Sequence, residues 1–183
     1  SAETVSTTDT TVPDGWAKGN WGTNNASFTY DTTGHTSSRS MKVQMTSYTN
    51  GDAKWYFAPV SVTADSQYTF SDYYKADTQT SLIAQFGKSD GTSIYVDLGT
   101  VAASSDWAQA SATFTAPAGS QNVTIFHVLG AIGSLTIDDA SLATATASTP
   151  TVSLTSPSAN STVTGTVTAT ASAVPSRRRV NST

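Results

Sequence analysis

Asp138 and Asp139, two neighbouring carboxylates, and two histidines, His35 and His127, are the residues best suited to proton transfer or metal binding in this 183-residue chain. Its one glutamate is Glu3. Cutting a glycosidic bond takes two carboxyl groups about 5 to 10 Å apart across the bond. Neighbours on a strand point to opposite faces, so Asp138 and Asp139 cannot flank one bond, and Glu3 stands at the terminus. The histidines lack the H-E-x-x-H spacing of a zinc site, no phosphate loop occurs, and the G-x-S-x-G string at Gly87 to Gly91 reads as a hairpin turn. With no cysteine in the chain, disulfides and thiolate metal sites are excluded.

What remains is binding chemistry. A ligand with C–H-rich faces and hydroxyl edges is held by exposed aromatic rings beside amides, carboxylates, lysine or histidine. Trp21 sits in the glycine-flanked run Gly19 to Gly22. Trp55 and Tyr56 are adjacent on a strand, so one of them must face away from the core. In Asp72 to Lys75 the same rule turns one tyrosine outward, and alternation with Tyr68 and Phe70 selects Tyr73. Strands beside Tyr73 are expected to offer Gln85 and one residue of the Phe126-His127 pair to the same face. Alternation also groups His127 with Val123 and Ile125, which is the pattern of a core residue, so His127 carries both readings.

These residues need a scaffold, and the period of two supplies it. Ser40 to Thr46 puts Met41, Val43 and Met45 on one face and Lys42 and Gln44 on the other. Ala26 to Tyr30, Ala53 to Val62, Tyr68 to Ala76, Ser81 to Phe86, Ser93 to Leu98 and Trp107 to Thr115 read as strands. Val123 to Leu129 and Leu135 to Leu142 close the domain around a turn at Gly130 to Gly133. Gly87 to Gly91 is a hairpin signal, and Pro59 marks a bulge or an edge. No helical period is found. Many short strands with regular turns predict an all-β sandwich or barrel.

Charge narrows the partners. The chain carries −4 overall, with nine positive and thirteen negative groups. Arg177 to Arg179 supply three of the positives, so the remaining body holds six against thirteen, or −7. That argues against nucleic acid, which needs clustered Lys and Arg. No run is long and apolar enough to span a bilayer and no signal peptide is present, so no membrane partner is expected. The opening at Ser1 reads as internal sequence, as in an excised piece of a longer protein.

The motifs taken in order resemble the family-4-like (4/9/16/22-type) carbohydrate-binding modules. They are Ser1-Ala2-Glu3, Gly15-Trp16, SRSMKV at 38–43, YTFSDYYKA at 68–76, WAQASATFTAP at 107–117 and GSLTIDDASL at 133–142. The resemblance covers residues 1–143 and implies a jelly-roll β-sandwich of two antiparallel sheets. It implies a non-catalytic module that targets a secreted, extracellular polysaccharide-degrading enzyme, with the parent catalytic domain elsewhere in the full-length chain. It places Trp16 and Trp107 in the core. It also implies one structural Ca²⁺ held by Glu3 and Asp138 with carbonyls of residues 34–38. The carbohydrate site is expected at Trp21, Trp55, Tyr56, Tyr73, Gln85 and His127. With no cationic cluster among them, neutral β-glucans are favoured: cellulose, mixed-linkage glucan or xyloglucan. The competing readings are a structural or adhesion sandwich without a sugar site, and a small jelly-roll lyase built on Gln85, His127 and Tyr73.

Beyond Leu142 the composition shifts. Residues 144–150 form an Ala/Ser/Thr linker, and 151–175 resemble the first strands of a bacterial immunoglobulin-like domain cut short. Two readings stand for this stretch: a disordered tail, or pairing of Thr162 to Thr170 along an exposed edge of the sandwich. Residues 176–183 read as a tail foreign to the domain.

Overall fold

The computed structural model describes residues 2–36, 38–145, 151–156, 162, 164–166 and 170–174. The chain divides into two compact units, residues 1–145 and 146–183. Among its described residues the first holds eleven strands: β1 (Trp16–Trp21), β2 (Asn24–Asp31), β3 (Ser40–Tyr48), β4 (Asp52–Phe57), β5 (Val60–Ser61), β6 (Gln67–Ala76), β7 (Thr80–Lys88), β8 (Ser93–Val101), β9 (Ser104–Thr115), β10 (Ser120–Val128) and β11 (Gly133–Thr144).

They form an antiparallel sandwich. One sheet runs β2-β3-β11-β6-β9 and the other β5-β10-β7-β8. The β1-β4 ribbon extends the second sheet, because Ala53 and Leu129 exchange backbone hydrogen bonds of 3.0 and 2.9 Å and Thr124 donates its hydroxyl to the Phe57 carbonyl at 2.7 Å. Pro59 interrupts what would be one strand, leaving β4 beside one end of β10 and β5 beside the other. Proline has no N–H for the ladder, which is why the break falls there.

Alternation decides what lies between the sheets. Met41, Val43 and Met45 of β3 are buried, as are Phe70 and Tyr74 of β6, Leu82, Ala84 and Phe86 of β7, and Val123 and Ile125 of β10. Trp55 belongs to this layer. It is 1% exposed, donates Nε1–H to the Lys42 carbonyl at 3.0 Å and meets Phe28 edge-on. His127 is also inside, between Asp72 and Thr80. The described opening residues, from Ala2 on, make no strand beyond an isolated bridge between Val5 and Pro13. Trp107, expected in the core, lies instead on the outer face of β9, because Ala108, Ala110, Ala112 and Phe114 take the inward positions.

In the second unit β12 (Thr151–Ser156) pairs antiparallel with β13 (Thr170–Val174). The linker at 146–150, residues 163 and 167–169 of the 162–170 stretch and the tail at 176–183 lie outside the described residues.

Candidate carbohydrate-binding groove

The outer face of the β1-β4-β10-β7-β8 sheet carries a groove of about 580 Å³. Cross-strand register builds it. Gln85 of β7 stands between Thr124 of β10 and Tyr95 of β8, and Ile83 stands between Phe126 and Asp97. Tyr56 meets Phe126 edge-on with ring centroids 5.5 Å apart, and the Lys54 ammonium lies 5.1 Å from the Phe126 centroid. Phe126 is only 8% exposed and forms the floor. Trp21 and Tyr95, 61% and 62% exposed, stand on the two outermost strands. Four inter-strand steps separate those strands, which is about 19 Å at the usual strand spacing.

Polar contacts fix the rings. Trp21 donates Nε1–H to Asp52 Oδ2 at 2.6 Å, and the other oxygen of Asp52 accepts from Lys54. Gln85 donates Nε2–H to the Tyr95 hydroxyl at 2.7 Å, which leaves its carbonyl for a ligand. The Trp21 backbone is held from below by Gly51, at φ 93°, where a Cβ would come within 1.9 Å of the Trp21 carbonyl oxygen. Any larger residue at 51 would displace the turn that presents the indole. Asp52 and Lys54 are the only ionised groups of the lining and neutralise each other.

The expected site residues therefore separate. Trp21, Tyr56 and Gln85 line the groove. Trp55 and His127 do not, since both are enclosed between the sheets. Tyr73 does face outward, but from the opposite sheet, where it stacks on His35 at 3.8 Å and pairs in register with Asp138 and Gln109. Alternation tells which residues of a strand share a face, not which sheet the strand joins, so it could not place Tyr73 and Gln85 relative to each other. With Gln85 in the groove, His127 in the core and Tyr73 on the far face, the lyase arrangement has no common centre. The sequence reading missed Tyr95, although Ile94, Val96 and Leu98 packing inward forces Tyr95 and Asp97 outward. It also missed Asp52, Lys54 and Ile83.

Glu3 and Asp138 lie at the other sheet. Asp138 is 1% exposed and accepts hydrogen bonds from the backbone N–H of His35 at 2.8 Å and of Asp139 at 2.7 Å. Burial raises its pKa above the ordinary value, and the negative charges of Asp139 and Glu3 add to the rise against those two hydrogen bonds. Glu3 Oε2 accepts from the backbone and hydroxyl of Ser38. Asp139, at φ 50° in a bulge of β11, turns away to bind His35 and Thr36. Burial pushes its pKa up, but the His35 and Thr36 hydrogen bonds outweigh that and leave it below the usual range. A buried carboxylate close to a second one suits a hard cation with oxygen ligands. Among the described residues no three of His, Cys, Asp and Glu converge on one point, so further ligands there would be carbonyl or water oxygens.

Comparison with known proteins gives this groove a context. The xylan-binding CBM22-1 domain of Paenibacillus barcinonensis Xyn10C is 12% identical, with a TM-score of 0.57, over 80% of this chain and 92% of that one. The CBM22-1-GH10 modules of Clostridium thermocellum xylanase 10B, complexed with xylohexaose, are 19% identical with a TM-score of 0.56, over 74% of this chain. The enzymatically active domain of tailspike protein 4 of bacteriophage CBA120 is 15% identical with a TM-score of 0.56, over 72%. This chain spans 27% of the xylanase structure and 20% of the tailspike, so it corresponds to one part of each. A search of curated proteins returns no match. At these identities the likeness is one of fold. Residues 9–134, by contrast, match the family model CBM_4_9, described as "Carbohydrate binding domain". The chain therefore belongs to this carbohydrate binding domain family of non-catalytic modules.

Proposed function

We propose that the groove binds the neutral backbone of a β-linked polysaccharide, xylan or a β-glucan such as cellulose, and that the module delivers a secreted, extracellular parent enzyme to it. The observation that carries this reading is the pair of exposed rings, Trp21 and Tyr95, at the ends of a groove floored by Phe126 and Tyr56. Rings spaced across a sheet suit stacking on successive sugar faces of an extended chain, and Gln85, Asn20 and Asp52 offer partners to hydroxyl edges. The mutual neutralisation of Asp52 and Lys54 favours an uncharged ligand. One similar structure is described as a xylan-binding domain and another as complexed with xylohexaose, which is the support for adding xylan to the β-glucans expected from sequence.

Affinity electrophoresis through xylan, mixed-linkage glucan, xyloglucan and hydroxyethyl cellulose tests this. Retardation by one or more is expected, and migration unchanged by all of them would favour a structural sandwich. Trp21→Ala and Tyr95→Ala should each weaken binding by about tenfold or more, the cost of truncating an aromatic anchor. Both rings are exposed, so the melting midpoint should hardly move.

A structural Ca²⁺ at Glu3 and Asp138 is the second part of the proposal. Its support is the buried, raised-pKa Asp138 beside Glu3. A carboxylate whose pKa is raised by folding opposes folding when ionised. That opposition is absent at pH values below the unfolded pKa and complete above the folded one, and a bound cation would cancel it. Excess chelator should therefore lower the midpoint at pH 7, with less effect toward acid pH. A midpoint indifferent to chelator and added Ca²⁺ at pH 7 would exclude the ion.

A further inference from the structure

The groove occupies one face of the sandwich, and a second site lies on the other. Lys42 of β3 and Lys75 of β6 both stand directly opposite Thr136 of β11, so the three side chains share the outer face of the five-stranded sheet. Two strand steps set the lysine Cα atoms about 10 Å apart, a span over which two long side chains can converge on one small anion. A depression of about 480 Å³ lies here, lined by both lysines, Thr136, Ser134, Ser104 and Asp77. That volume is in the range of small-ligand sites.

Charge makes the site unusual for this chain. Against a body that is strongly acidic, the lining carries two lysines and one aspartate, a local balance of +1. Asp77 is committed to Ser134, accepting its backbone N–H at 2.7 Å and its hydroxyl at 3.0 Å. Neither lysine is in a salt bridge among the described residues. Beside them stands an aromatic group. The Lys75 ammonium lies 5.2 Å from the Trp107 ring centroid, Trp107 is 5.5 Å from His35, and His35 stacks on Tyr73. Ammonium groups and hydroxyls, with an indole beside them, match a sugar ring that bears a carboxylate, whereas a bare inorganic anion would use only the first two.

We propose that this face is a second, separate binding site, and that it takes a uronate residue of an acidic glycan. The groove would then hold a neutral chain while the opposite face holds a charged one, so that one module could bridge two polysaccharides. This site does not depend on the identity of the groove ligand.

Oligogalacturonate, its methyl ester and a neutral xylo-oligosaccharide are the probes, titrated into the full chain by calorimetry. Oligogalacturonate is expected to bind, less tightly as ionic strength rises, and its methyl ester not to bind. The double variant Lys42→Gln/Lys75→Gln should weaken oligogalacturonate by about tenfold, the scale of two partly exposed charge contacts. Trp107→Ala should weaken it without any change of charge. Tyr95→Ala should leave it unchanged, and the lysine double variant should leave the neutral oligomer's binding, if present, unchanged. The proposal is overturned if wild-type protein ignores oligogalacturonate, if the double variant binds it equally, or if Tyr95→Ala abolishes the binding. Displacement by inorganic phosphate as effective as by free galacturonate, at equal ionic strength, would equally overturn the uronate assignment.

Discussion

Replacing Trp55 by alanine is expected to cost about 3 to 5 kcal/mol of stability, the range for removing a large aromatic side chain from a packed core. For a domain of this size that lowers the melting midpoint by about 10 °C or more. The indole is 1% exposed and fills the space between β4 and β3, with its N–H on the Lys42 carbonyl and its ring against Phe28. Truncation removes the packing and leaves that carbonyl without the indole donor. Tyr56→Ala, one residue on, should behave in the opposite way. Its ring stands in the groove against Phe126, so glycan binding should fall while the midpoint moves little. Denaturant melts and glycan titrations of the two variants check both claims. A mild Trp55→Ala phenotype with binding lost would mean that the indole, not the phenol, faces the sugar.

Trp55 and Tyr56 also show how far the sequence reached. Adjacency on a strand required that one ring point inward and one outward, and composition had nothing more to say, since both are large aromatics with a polar tip. The outcome was set by partners distant in sequence: Lys42 offers an inward acceptor for the indole, and Phe126 offers an outward edge for the phenol. Strand positions were legible wherever small and large apolar residues alternated cleanly, as at Met41, Val43 and Met45. Sheet membership was not. Tyr73 and Gln85 each face outward, yet the crossing from β6 to β7 carries the chain from one sheet to the other. Trp107 shows the converse failure. A tryptophan was expected inside, but alanines at 108, 110 and 112 leave room inward for residues of the facing strands, and the indole turns out beside Lys75. Tyr95 could have been found from the inward run of Ile94, Val96 and Leu98 around it.

The largest polar effect is expected at His127, which the sequence left open between core and ligand. The ring is 1% exposed, its Nδ1 lies 2.9 Å from Asp72 Oδ2 and its Nε2 lies 2.8 Å from the Thr80 hydroxyl. With the imidazole neutral, Nδ1–H donates to the carboxylate and Nε2 accepts from the hydroxyl. Asp72 is on β6 and His127 on β10, so the contact bolts the two sheets together across the core. It lies one residue from Phe126, the groove floor. Asp72→Ala leaves a buried ring nitrogen without its acceptor, and His127→Ala leaves a buried carboxylate without its donor. Asp72→Ala should cost about 1 to 3 kcal/mol, the scale for a buried polar group left without its partner, and His127→Ala more, because the group it strands is charged. The costs should not add. Once either partner is gone the other is already a liability, so removing it as well should cost much less than its single substitution, with a coupling of at least about 1 kcal/mol in a double-mutant cycle. Among the described residues Asp72 Oδ1 has no hydrogen-bond partner, which makes the carboxylate the more costly group to strand and His127→Ala the more damaging single change. Urea titration of the four proteins measures all of this, and additive costs would show that the two residues stabilise the sandwich independently. Glycan affinity of the folded fraction supplies the functional half of the test. A bolt directly beneath Phe126 should, when cut, loosen the groove floor and weaken binding, even though neither residue touches the ligand.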